Sequence, residues 1–286
     1  MLDVTRLLAG LISDSATRLF RETFPDAQRG YLDQAVSMVY SALDALAGTN
    51  TLYHDVEHTA HVVSVGLEIF AIKAKADSHF SPQDWANVII ALSCHDIGYV
   101  PGVLKGDTRS EIATGIADDT IPLPVDGTDA KLMPIHVDRS KRYAQEQLAH
   151  SQWVELDEIC ACIERTRFPA PDEPWYQSNE DLPGLVRAAD FIGQLSDKRY
   201  LSKLSAIFYE FEENDTNKVF GYEKPADLVP AYPGFFDNVV SPYISAACEL
   251  LRSSKEGREI LASLHGNVET ARRASGESAP PKRSSL

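Results

Sequence analysis

The chain has 286 residues, within reach of one large domain at roughly 100–200 residues per domain with a long upper tail. Lys+Arg 27 against Asp+Glu 42 leaves a net charge of −15, with 44% hydrophobic residues. This excludes a collagen, a wholly disordered chain and a basic platform for a nucleic-acid polymer. An acidic protein repels polyanions at long range, so an anionic substrate needs local positive charge, for which a bound metal is the obvious supply.

Helix signals dominate in chain order. Residues 3–22 carry an apolar stripe through Val4, Leu7, Leu8, Leu11, Ile12, Ala16 and Leu19, ended by Phe24-Pro25-Asp26. A second stripe runs from Leu32 to Leu46 and closes at Gly48, and a third helix is predicted over about 55–75. Ser81-Pro82-Gln83-Asp84 reads as a helix start: Ser at the N-cap, Pro in the first position, Asp in the first turn. The run after it, WANVIIALSCHD, is apolar on nearly every side and predicts a central core helix. From Gly98 to Pro134 the pattern dissolves into Gly, Pro, Asp and Thr, which predicts a long irregular segment with one short helix near 109–117. Helices resume at about 138–149, 153–165, 180–196 and 198–213. A second loop region spans 214–234, and one or two helices cover 235–273.

The expected class is all-α, one compact multi-helix bundle with long irregular loops. Residues 1–49 pack on a core of 50–213, residues 214–273 complete the same domain, and 274–286 form a Ser/Pro-rich disordered tail. Cys94, Cys160, Cys162 and Cys248 are expected to be reduced thiols. No stretch reaches the ~18 consecutive apolar residues of a membrane span. The N-terminus lacks the basic region and small-residue cleavage site of a secretion signal. A cytoplasmic location without membrane association is therefore expected.

Three stretches carry chemistry. Tyr53-His54-Asp55-Val56-Glu57-His58-Thr59-Ala60-His61 holds three histidines, which on a helix related by i, i+4 and i+7 would face one side. Cys94-His95-Asp96-Ile97-Gly98 puts adjacent His and Asp at the end of the most apolar helix, where both need pairing or ligation. Arg187-Ala188-Ala189-Asp190-Phe191-Ile192-Gly193-Gln194 sets an Asp among small and apolar residues. Its counter-charge is either Arg187, three positions away, or a metal.

Together, His58, His95-Asp96 and Asp190 resemble the H…HD…D pattern of the HD superfamily of metal-dependent phosphohydrolases. Tyr53-His54-x-x-x-His58-x-x-His61-Val62 further resembles an element of its class I cyclic-nucleotide phosphodiesterase branch. The resemblance covers about residues 50–200. It implies His58, His95, Asp96 and Asp190 as ligands of a divalent transition metal (Mn, Fe, Ni, Zn or Co), with Asp96 also catalytic and His54 as general acid. The pattern departs at Asp55, where the family has Asn, at His61, where the phosphodiesterases usually carry Asp, and at Tyr99, where they carry a further His. Only His136 and His150 lie between Asp96 and Asp190, so one tightly held ion is expected. A second, Mg or Mn, would be held by Asp96 and water.

Metal-activated water with a protonated His54 opposite suits phosphoester hydrolysis. The expected substrate is a small phosphorylated molecule, a nucleotide or cyclic nucleotide, and a homodimer is compatible with the sequence. Lys105 and Arg167 rank first as phosphate contacts, ahead of Arg139, Arg142, Arg165, Arg187, Lys198 and Arg199. His61, Tyr99, His136 and Gln194 are candidate outer or substrate contacts. Phe168, Trp175, Tyr176, Phe191 and Tyr222 are candidates to stack on a base, and the segment 98–134 to wall the pocket. Two other readings stand beside this one: a non-catalytic metal- or nucleotide-binding regulatory module, and an iron-dependent oxygenase of the same superfamily.

Overall fold

The helix-start chemistry read above is used by the chain. A computed structural model describes residues 3–276. Asp3 caps α1 (Val4–Thr23) by accepting from the Arg6 amide, and α2 (Arg29–Leu46) folds back against it. Asp55 caps α3 (Val56–Ala76) through the His58 amide at 2.9 Å, so Asp55 has a structural role of its own. Ser81 and Asp84 form a reciprocal capping box at the start of α4 (Pro82–Cys94). That helix is buried from Trp85 to Cys94, as its all-round apolar character requires.

Residues 109–117 do not form the expected helix. Glu111–Ala113 (β1) pairs antiparallel with Thr120–Pro122 (β2), Ile112 opposite Ile121. The local backbone is committed elsewhere. Ala113 receives Arg139 at its carbonyl and gives its amide to Asp107, and Gly115 turns the chain at φ +85°. Then come α5 (His136–Leu148), α6 (Leu156–Arg165), the short α7 (Pro174–Gln177), α8 (Leu182–Ser196) and α9 (Tyr200–Glu213).

The expected loop at 214–234 is largely helical: α10 (Thr216–Val219), a single turn at Pro225–Asp227, and α11 (Leu228–Phe235). The prolines mislead here because Pro225 and Pro230 occupy first-turn positions, where an amide hydrogen has no intrahelical partner to lose. Pro233 lies inside α11 and is followed by a π-type turn at Phe236–Val240, which leads into α12 (Ser241–Arg252). A final helix, α13 (Lys255–Ala274), runs back along the bundle. The tail from residue 277 on lies outside the described residues.

The architecture is all-α with one small hairpin. One continuous apolar core runs from Ala9 in α1 to Ala271 in α13, and a satellite cluster of Tyr99, Ile112 and Leu132 sits under the hairpin. Cys94, Cys162 and Cys248 are buried free thiols and Cys160 is half-buried. Among the described residues no helix is long and apolar enough to cross a membrane.

Two glycines set how closely the functional segments approach. A Cβ on Gly193 of α8 would lie 2.7 Å from the Val62 Cα of α3. A Cβ on Gly98 would lie 1.9 Å from the His136 carbonyl oxygen. At both places the obstacle is backbone, which cannot swing aside. Gly193→Ala should therefore destabilise the protein by roughly 1–3 kcal/mol from overpacking, even though Ala is the better helix former by about 1 kcal/mol. Urea unfolding measures this; unchanged or increased stability would show that α3 and α8 have slack.

Candidate metal centre

The site is assembled by two helix ends and one helix middle. His58 lies in the first turn of α3, and His95 and Asp96 follow α4. Asp190 sits midway along α8, one turn before Gly193. Two residues of α5 fasten the His95–Gly98 turn. The Ser140 hydroxyl donates to the His95 carbonyl at 2.7 Å and accepts from the Gly98 amide at 2.9 Å. Arg139, wholly buried, donates to the carbonyls of Gly98, Val100 and Ala113 and to the Asp107 carboxylate. Neither Arg139 nor Ser140 lines the cavity beside the cluster; they hold the shape of the turn.

His58, His95, Asp96 and Asp190 converge. His58 Nε2 lies 3.2 Å from Asp96 Oδ2 and 3.5 Å from Asp190 Oδ1. His95 Nε2 lies 3.1 Å and 3.6 Å from the same two oxygens. Ligands held about 2.0–2.2 Å from one ion stand roughly 3.0–3.5 Å apart across an octahedral edge or a tetrahedral angle, so the spacing fits. The hydrogen bonding fits as well. His95 Nδ1 is 2.8 Å from the Leu92 carbonyl, which accepts its proton, so Nε2 is the nitrogen that faces the carboxylate oxygens. His95 Nε2 and Asp96 Oδ2 are buried with no hydrogen-bond partner, as is His58 Nδ1. Lone pairs facing carboxylates in a dry interior need a cation between them, either protons or a metal. Burial opposes charge on His58 and His95, yet the Asp96 and Asp190 carboxylates raise both above the usual imidazole value.

His54 does not share the helix. It precedes the N-cap, so the i, i+4, i+7 relation of the three histidines fails, although its ring still comes to 5.4 Å from that of His58. What positions it is Glu210 of α9, wholly buried, whose Oε2 lies 2.5 Å from His54 Nδ1. The other oxygen of Glu210 accepts the amides of Tyr53 at 2.6 Å and His54 at 3.3 Å. Burial works against a charged His54, but Glu210, helped by Asp96 and Asp190, pushes its pKa up to about 9. Glu210 escaped the sequence reading because nothing near it in the chain marks it; it reaches His54 across 156 positions.

Tyr99 is stacked between the rings of His54, at 5.0 Å, and His136, at 4.4 Å. His136 gives its Nδ1 to the Met133 carbonyl at 2.6 Å, and its Nε2 lies 3.9 Å from Asp96 Oδ1, the face of Asp96 away from His58 and His95. Burial lowers the His136 pKa to about 4, so its Nε2 presents a lone pair there.

Other candidates lie elsewhere. His61 groups instead with Glu57 and Asp197, its side chain 43% exposed. Lys105 is on the exposed surface. Arg167 is held by Glu164 and Asp138, at 2.5 Å and 3.0 Å. Arg187 does not neutralise Asp190: it donates to the carbonyls of Tyr176 and Ser178 and lies 3.7 Å over the Tyr243 ring. Arg165 pairs with Asp181 beneath Trp175, Arg142 with Glu146 and Arg199 with Glu57.

A cavity of about 120 Å³ opens beside the cluster. His54, His58, Asp96, Asp190, Tyr99, His136 and Gln194 are among its lining. Phe168, Phe191 and Tyr222, expected as stacking residues, line it too, whereas Trp175 and Tyr176 do not. The segment 98–134 contributes only Tyr99 and Met133, whereas Phe220, Tyr222, Leu228 and Tyr232 come from 214–234, which the sequence pattern marks as loop.

If the cluster holds a divalent ion, Mn²⁺ or Zn²⁺ at about 100 times its Kd should stabilise the fold by about 2.7 kcal/mol. Asp96→Asn and His95→Gln should abolish the rise in melting temperature, and Glu57→Gln, in the exposed group with His61, should retain it. No rise in the wild type, or a rise retained by Asp96→Asn, would contradict the ligand set.

No curated protein matches the sequence. A family model matches residues 2–274, so nearly the whole chain is covered, and the protein belongs to the Npun_R2479-like family.

Proposed function

We propose that the protein is a metal-dependent hydrolase of phosphoesters, with an HD-type arrangement in which His58, His95, Asp96 and Asp190 hold the ion. The observation that carries this reading is the meeting of two imidazole nitrogens and two carboxylate oxygens at 3.1 to 3.6 Å, with a Glu-paired histidine beside them at the mouth of a cavity. When bound, a divalent ion at this place would supply a water of lowered pKa and a positive charge against phosphate oxygens.

The remaining work falls to side chains. Glu210 accepts the Nδ1 proton of His54 and fixes that ring, leaving Nε2 as the nitrogen available to a substrate. His54 then donates its Nε2 proton to the leaving oxygen as the ester bond breaks, and Glu210 keeps the imidazolium favoured until that moment. Tyr99 and His136 stack behind His54 and limit its tilt. The apolar wall excludes bulk water, which strengthens each of these charged contacts.

His54→Ala should leave metal content unchanged and lower kcat by roughly 10²–10⁴-fold for esters with alkoxide leaving groups. A p-nitrophenolate leaving group, which needs little protonation, should lose much less. Equal losses for the two classes would remove His54 from the acid role.

A further inference from the structure

The cavity beside the ligand cluster is built for hydrocarbon and for little charge. Among the described residues no Lys or Arg lines it. The guanidiniums nearest in sequence to the cluster are all engaged elsewhere: Arg139 by Asp107, Arg167 by Glu164 and Asp138, Arg187 by backbone carbonyls. A dication held by Asp96 and Asp190 would be offset by those two carboxylates, and His54 is offset by Glu210, so the loaded site carries no surplus positive charge. Around it the protein as a whole is at −15. A dianionic monoester or a triphosphate would enter this environment with no side-chain cation to receive it.

The wall also includes Phe168, Phe191, Leu204, Ile207, Phe220 and Phe235. Rings contact one another here: Phe168 lies 6.3 Å from Phe191, 6.0 Å from Phe220 and 6.0 Å from Phe235. A nucleobase buried in such a wall would leave several donors and acceptors unpaired, each costly in a dry site. The polar groups of this wall are few: the Gln194 amide is directed at the Tyr200 hydroxyl, Thr166 Oγ1 donates to the Ile163 carbonyl, and Tyr222 and Tyr232 add two phenol hydroxyls. A cavity of about 120 Å³ is of the size at which apolar protein cavities take up a single benzene-like ring.

From this charge balance and this lining we infer that the substrate is a phosphodiester of single negative charge carrying an aryl or comparably compact hydrocarbon arm, rather than a nucleotide. The inference rests on the hydrolase reading for the phosphodiester, but the apolar arm rests on the cavity alone.

The test is calorimetric titration of the full chain, with Mn²⁺ and after chelation, using phenyl methyl phosphate, AMP, cyclic AMP and ATP as probes, with turnover of each followed separately. The phenyl diester should bind at least about tenfold more tightly than any nucleotide, and part of its affinity should survive chelation because the arm does not touch the ion. Phe220→Ala should weaken it by about tenfold, and Phe220→Lys should shift preference toward AMP. A nucleotide bound as tightly as the phenyl diester, or unchanged binding in Phe220→Ala, would overturn the inference. If the binding order holds without turnover, the ligand class stands and the hydrolase reading fails; if a nucleotide binds best and is hydrolysed, the reverse is true.

Discussion

Two buried imidazoles, His58 and His95, each face a carboxylate oxygen of Asp96 and of Asp190 within 3.6 Å, and much of the surrounding fold is arranged to keep them there. Left without a cation, Asp96 and Asp190 would be neighbouring anions in a region where His58, His95 and Asp96 are all but inaccessible to water. Such a grouping is strongly unfavourable unless positive charge lies between its members. Protonated histidines can supply that charge, and so can a metal. The Leu92 carbonyl holds the Nδ1 proton of His95, so Nε2 is the nitrogen turned toward the carboxylates, where either a proton or a metal can sit.

Packing and chemistry are inseparable at this point. Asp190 reaches the cluster because α8 approaches α3 at backbone distance through Gly193, and the His95–Asp96 turn keeps its form because Gly98 slides under the His136 carbonyl. Arg139 and Ser140 then satisfy the carbonyls and amides that the turn leaves free. Arg139 looked from the sequence like a surface cation available to a phosphate. Its charge is instead spent inside the protein on a loop whose far end is the hairpin.

The legible parts of the sequence were those governed by local rules. The helix start at Ser81 follows from a side chain that bonds the next turn, and the burial of α4 follows from its unbroken apolar run. His58, His95, Asp96 and Asp190 could be grouped because each stands in a setting that penalises an unpaired polar group. What local rules could not reveal was partner choice across the chain. His54 was assigned to the face of a helix it does not join, His61 groups with Glu57 and Asp197 instead, and Glu210 gave no signal in its own segment. Lys105 and Arg167 were ranked by nearness to turns, but charge goes to the nearest carboxylate, and Arg167 had Glu164 three residues before it. The proline count concealed α11, because a proline in a first turn costs a helix nothing. With α11 went Leu228, Tyr232 and Phe235 of the cavity wall.

The most direct test is anomalous diffraction from crystals grown with Mn²⁺ or Zn²⁺. The account predicts one strong peak about 2.0–2.3 Å from His58 Nε2, His95 Nε2, and an oxygen each of Asp96 and Asp190. A peak confined to Glu57, His61 and Asp197, or a cluster in which the four side chains hydrogen-bond one another with no ion between them at saturating metal, would contradict it.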